Sequence, residues 1–97
     1  MNLPVFSSKT SGQEPNLVGV QDEGIESPPT VLVCPMRRDL HKTSLRPHVT
    51  FADRRFVVGC DLVRPIHRRV LRLLGYLSDA DSRAVIATQL GIFARED

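Results

Sequence analysis

The sequence predicts a mainly β fold, a small barrel-like sheet with one C-terminal α-helix laid on it. Three observations carry that expectation. Short apolar, β-branched runs recur up to Cys60, separated by breaks that hold proline and glycine. One pair of these runs reads as a hairpin. After Ser78 the pattern changes to helical spacing.

Taken in order, Leu3, Val5 and Phe6 predict a short first strand, followed by a polar, turn-rich stretch over residues 7–16. Asn16-Leu17-Val18-Gly19-Val20-Gln21 reads as the second strand. Ser27-Pro28-Pro29 interrupts any ladder, because proline fixes φ and lacks a donor. Thr30-Val31-Leu32-Val33-Cys34 predicts a strand buried on both faces and closed by Pro35. Arg37 to Arg46 is polar and reads as a loop. Val49-Thr50-Phe51 and Arg55–Cys60 then flank Ala52-Asp53-Arg54, a short polar turn.

Residues 65–77 admit two readings. Ile66, Val70, Leu73, Leu74 and Leu77 fall at helical spacing, and Pro65 suits a first helical position. Arg72-Leu73-Leu74-Gly75-Tyr76-Leu77 also reads as a short strand. The C-terminal helix has a cap in Ser78 and favourable charges in Asp79 and Asp81 at its positive end. Val85, Ile86, Leu90, Ile92 and Phe93 spread over one broad face, and Gly91 is the expected stop.

A chain of 97 residues predicts one domain with one modest core, spanning 1–97. Its 41% hydrophobic and 25% charged residues exclude a disordered tail or a collagen-like chain. The size excludes a large two-substrate enzyme and leaves a small hydrolase, an inhibitor or a binding module. The longest apolar run, Val31 to Met36, is too short to cross a membrane. The N-terminal residues carry neither a basic nor a long apolar region, so no secretory signal is read and a cytoplasmic protein is expected. Cys34 and Cys60 sit in apolar stretches without metal-ligand spacing. They are expected as buried, reduced thiols, with a disulfide the minor alternative, and no metal or other cofactor is expected.

Charge is uneven. Residues 1–33 sum to −3, residues 34–76 hold ten Lys/Arg against three Asp for +7, and residues 77–97 sum to −2. The middle segment predicts a basic face, either solvated or set against an acidic partner. Arg37, Arg38, Lys42 and Arg46 are the candidate residues for that partner. No aromatic residues interleave with the arginines, so base stacking and direct sequence-specific nucleic-acid binding are not expected. His48 and His67 receive no role.

Three stretches resemble the CcdB family of plasmid-maintenance toxins, within the larger CcdB/MazF (PemK-like) superfamily. Leu17 to Ser27 is similar to an apolar strand ending in Val-Gln, followed by an acidic, isoleucine-containing turn. Val31-Leu32-Val33-Cys34-Pro35-Met36 is similar to an apolar strand ending in Pro-Leu. Asp61 to Ser78, ending Gly75-Tyr76-Leu77-Ser78, keeps a similar frame of apolar positions. The resemblance implies an SH3-like antiparallel β-barrel with a C-terminal helix, a homodimer, and a strand over Arg72–Leu77. It further implies the toxin of a type II toxin–antitoxin system, without catalytic residues, that binds the A subunit of DNA gyrase. Its partner would be a small acidic, CcdA-like antitoxin.

In CcdB-like toxins the gyrase contact is a C-terminal Trp-Gly-Ile. Gly91-Ile92 match Gly-Ile with Leu90 in the tryptophan position if a short gap is allowed, and Phe93 takes that position without one. Leu90, Gly91, Ile92 and Phe93 are therefore the candidate target-binding residues, the alternative being packing of this face on the sheet. MazF-like relatives are endoribonucleases that cleave single-stranded RNA with an arginine before the second strand and a threonine two residues after a proline. Here those positions hold Glu14 and Arg37. Arg37, Arg38, His41 and Lys42 are the residues from which a different nuclease site would be built, with His41 as base. A third reading is a homologue that keeps the fold and has lost its target.

Overall fold

The structure, a computed structural model, describes residues 2–9, 14–20, 29–41 and 43–94, and for Phe93 and Ala94 the backbone alone. Its elements are β1 (Pro4–Ser8), β2 (Leu17–Gly19), β3 (Thr30–Arg37), β4 (His48–Phe51), β5 (Arg54–Val58), β6 (Arg64–His67), β7 (Leu71–Tyr76) and α1 (Asp79–Ala94). Single 3-10 turns at Cys60–Leu62 and Arg68–Val70 precede β6 and β7. The strands form one curled antiparallel sheet in the order β4-β5-β3-β2-β1-β7, a half-barrel with α1 packed on it. The mainly β fold with a C-terminal helix is thus as the sequence predicts.

β3 is the pivot. Its first half, Thr30–Val33, pairs with β6, and Met36–Arg37 pair with β5. The expected closure at Pro35 and the burial of both faces do not occur. The strand runs through Pro35 to Arg37, and Thr30 and Leu32 are exposed. Proline is tolerated because it sits where β3 exchanges one partner for the other, so no regular ladder bond is lost there. Its carbonyl still accepts from Gly59 N at 2.9 Å.

Alternation along the strands sorts the apolar residues into two cores on opposite faces of β1-β2-β3. Val5, Val18, Cys34 and Met36 join Val49, Phe56, Val58, Leu77 and Val85 beneath α1. Phe6, Leu17, Val31, Val33 and Leu71 form the second, with Ile66 of β6 against it. Gly19 lets the sheet close here, since a Cβ would stand 2.9 Å from Pro4 Cγ and 3.0 Å from Phe6 Cε2.

The β4–β5 turn is tighter than the sequence suggests. Arg54 already pairs with Phe51, leaving Ala52 (φ 52°) and Asp53 (φ 63°) as a two-residue turn of the primed type. In residues 65–77 the helical stripe is not used. Two strands flank the turn at Arg68–Val70, whose entry is capped by His67 Nδ1 accepting from Arg69 N at 3.2 Å. Val70 and Leu73 are exposed, so the spacing of that stripe marks no buried face.

Ser78 caps α1 as expected, its Oγ accepting from Asp81 N at 3.1 Å. Gly91 does not stop the helix, which continues to Ala94. Glycine terminates helices where it adopts a left-handed conformation, and Gly91 does not adopt one. Among the described residues, no helix is long and apolar enough to cross a membrane.

Candidate functional site

α1 is fixed at three points. Ser82 Oγ accepts from Leu3 N at 2.9 Å in the interior, and Asp81 Oδ2 accepts from Thr50 N at 2.9 Å. Farther along, the buried Gln89 amide donates to Cys34 Sγ at 3.0 Å and to Cys60 O at 2.7 Å. Ser82, Val85 and Gln89 are therefore the inward stripe of the helix. Ile86 and Leu90, one turn apart on the adjacent stripe, are carried to the margin of the sheet.

At that margin lies an apolar groove of about 160 Å³, lined by Val20, Leu32, Val63, Ile86, Gln89 and Leu90. Val20 follows β2, and its N–H donates to Leu32 O at 3.0 Å, which holds these two walls together. Leu32 is on the outward face of β3, and Val63 enters from the 3-10 turn before β6. Leu90 is 64% exposed, and Leu32 and the nearby-in-sequence Leu62 are also exposed leucines. The arrangement can hold an apolar side chain of another molecule.

The four candidate target residues separate here. Leu90 stands at the groove. Gly91 is exposed beside it, and Ile92 turns half inward against the core beneath α1. The side chain of Phe93 is outside the described residues. The expected face of Val85, Ile86, Leu90, Ile92 and Phe93 is thus not one buried surface, because Leu90 points away from the core that Val85 enters.

Two of the four candidate acidic-partner residues, Arg37 and Arg46, are engaged within the chain. Arg37 makes a forked pair with Asp39 at 2.9 and 3.0 Å. Arg46 makes another with Asp61 at 3.0 and 3.1 Å, and also donates to His41 O at 3.3 Å. Each arginine holds its partner carboxyl below the usual carboxylate range. Arg38 is exposed, and Lys42 lies outside the described residues. Of the nuclease positions, exposed Glu14 pairs with Arg54 at 3.3 Å, and Arg37 is occupied by Asp39. Among the described residues, no group of three or more His, Cys, Asp or Glu is placed to hold a metal ion.

Both cysteines are free and buried, Cys60 Sγ donating to Val85 O at 3.9 Å and Cys34 Sγ accepting from Gln89. The neighbouring Cys60 thiol, with burial after it, pushes the Cys34 thiol well above the usual thiol range. Gln89 and the Leu32/Val63 wall are absent from the sequence-derived candidates. A polar residue in a helix ordinarily reads as solvated. The available signal was that Gln89 lies seven residues after Ser82 and four after Val85, on one stripe. Comparison with protein-family models gives no match, and comparison with curated proteins gives none either.

Proposed function

We propose that this protein acts by binding other proteins through the helix-side groove. In particular, we read it as the CcdB-like toxin of a type II toxin–antitoxin system, one that inhibits DNA gyrase through its A subunit without catalysis of its own. A homodimer and a small acidic, CcdA-like antitoxin complete the reading. The observation that supports it is Leu90. A leucine 64% exposed beside an apolar groove, on a helix tied down at three points, is a preformed anchor for a partner's side chain. With a short gap allowed, it takes the position at which the resemblance expects the target contact, the position that Phe93 takes without one.

The test is Leu90→Ala and Leu90→Lys in the full chain. Induced expression of the wild type should arrest growth and accumulate gyrase-linked DNA breaks while bulk RNA stays intact. Both variants should lose toxicity while their unfolding free energy changes by no more than about 0.5 kcal/mol, as exposed positions do. Metal-free cutting of single-stranded RNA by the purified protein would favour the MazF-like endoribonuclease instead. Growth unaffected by the wild type would favour the homologue without a target.

A further inference from the structure

β7 ends the sheet. β1 covers one of its edges, and among the described residues nothing hydrogen-bonds to the other. Proteins commonly protect such an edge by keeping it short, covering it or lining it with charge. Here it is six residues long and carries two well-exposed large side chains, Leu73 at 52% and Tyr76 at 57%. A register shift makes Leu74 an extra residue, so that Leu73 pairs with Phe6 and Tyr76 with Pro4. Phe6 and Pro4 share a face of β1, and the bulge therefore puts Leu73 and Tyr76 on one face of β7. Arg72, paired with Ser7, belongs to the other face.

Positive charge collects in the segment that leads into and forms this edge. From Arg64 to Tyr76 the chain has four arginines and no Asp or Glu. Arg37, Arg46, Arg54 and Arg83 each have a carboxylate partner. Among the described residues, exposed Arg64, Arg69 and Arg72 have none. Open backbone, apolar side chains on one face and arginine on the other describe one complementary chain. It is extended, apolar at alternate positions, and acidic between them.

We propose that the outer edge of β7 is a strand-addition site for an extended acidic segment of a partner protein. The main chain of that segment adds to β7, its apolar residues cover Leu73 and Tyr76, and its carboxylates meet Arg72 and Arg69. A second copy of this chain fits less well, because its own β7 edge brings arginine and no carboxylate to Arg69 and Arg72. A single-stranded nucleic acid would satisfy the arginines and leave the backbone edge unused. The site is independent of the helix-side groove and would exist if that groove bound nothing.

The probe is a fluorescent peptide of about ten residues alternating Glu and Val, titrated into the full-length protein and followed by anisotropy. Binding should weaken about tenfold or more in the double variant Arg69→Glu/Arg72→Glu. It should fall as salt is raised. N-methylation of alternate peptide bonds on the peptide edge facing β7 should abolish it. Backbone amides of 71–76 should gain protection from hydrogen exchange in the complex. Equal binding of the methylated peptide would overturn strand addition, and because that comparison uses the unaltered protein it stands even if the double variant does not fold. An oligouridylate binding more tightly than the peptide at the same salt would overturn the choice of partner. So would sedimentation showing a dimer that excludes the peptide.

Discussion

The groove beside α1 and the edge of β7 both present leucine to solvent, and they are built in opposite ways. The groove is neutral and composite, drawing on the ends of β2 and the 3-10 turn, on β3 and on two turns of α1. It exists only while Gln89 and Ser82 hold the helix to the sheet. The β7 edge is local and basic. One contiguous segment supplies its backbone, its apolar face and its arginines. A composite surface is sensitive to packing at a distance, whereas a local one is sensitive to charge and register.

That difference is open to direct attack. Gln89→Ala should have the largest effect. It leaves the Cys60 carbonyl without its donor in the interior, at a cost of about 1–3 kcal/mol measured by denaturant unfolding. Toxicity should fall with it, while peptide binding at β7 stays within about twofold, since no contact is shared. Equal loss at both surfaces would show that the two are one cooperative unit.

Gly91→Ala should act in the other direction. The position is helical, exposed and open, so the added methyl should stabilise by about 0.5–1 kcal/mol through helix propensity alone. It should also stiffen the turn that carries Leu90 and leave β7 unaltered. A destabilised Gly91→Ala would mean that the helix ends before this residue in solution.

The smallest effect concerns pH. Arg46 holds Asp61, next to Leu62, in a partly exposed forked pair. Because the carboxyl of Asp61 is depressed in the folded chain, its contribution is full above the ordinary carboxylate value of about 4. It is lost as pH falls through the folded value. With screening by solvent the amount is about 0.5 kcal/mol. Asp61→Asn should remove that much at neutral pH and flatten this part of the acid limb of the stability curve. A variant with an unchanged acid limb would assign the acid sensitivity elsewhere.

Much of the fold was legible in residue order because the signals are short-ranged. The hairpin was visible as two apolar runs around a polar turn. Its exact length was not, since Arg54 joins the ladder only when Phe51 stands opposite. Ser78 was legible as a cap because capping is settled within one turn of chain. Leu90 was visible as a candidate, but its direction was not. Periodicity places residues on faces without saying which face meets the sheet, and here the sheet takes Ser82, Val85 and Gln89.

By itself the sequence determined the alternation that makes strands, the start of α1, and the accumulation of positive charge between Cys34 and Tyr76. These depend on neighbours a few residues away. Tertiary structure decided that 65–77 would be two strands around a turn. The ladders to β3 and β1 satisfy backbone groups that an isolated helix would satisfy internally, and they bury Leu71 while leaving Val70 and Leu73 in water. It decided likewise that β3 would pass through Pro35, because only an exchange of strand partners makes the missing donor harmless. It also decided which arginines remain available. Asp39 is near Arg37 in sequence, but Asp61 reaches Arg46, and Glu14 reaches Arg54, only after the chain has folded, leaving Arg69 and Arg72 beside the open edge.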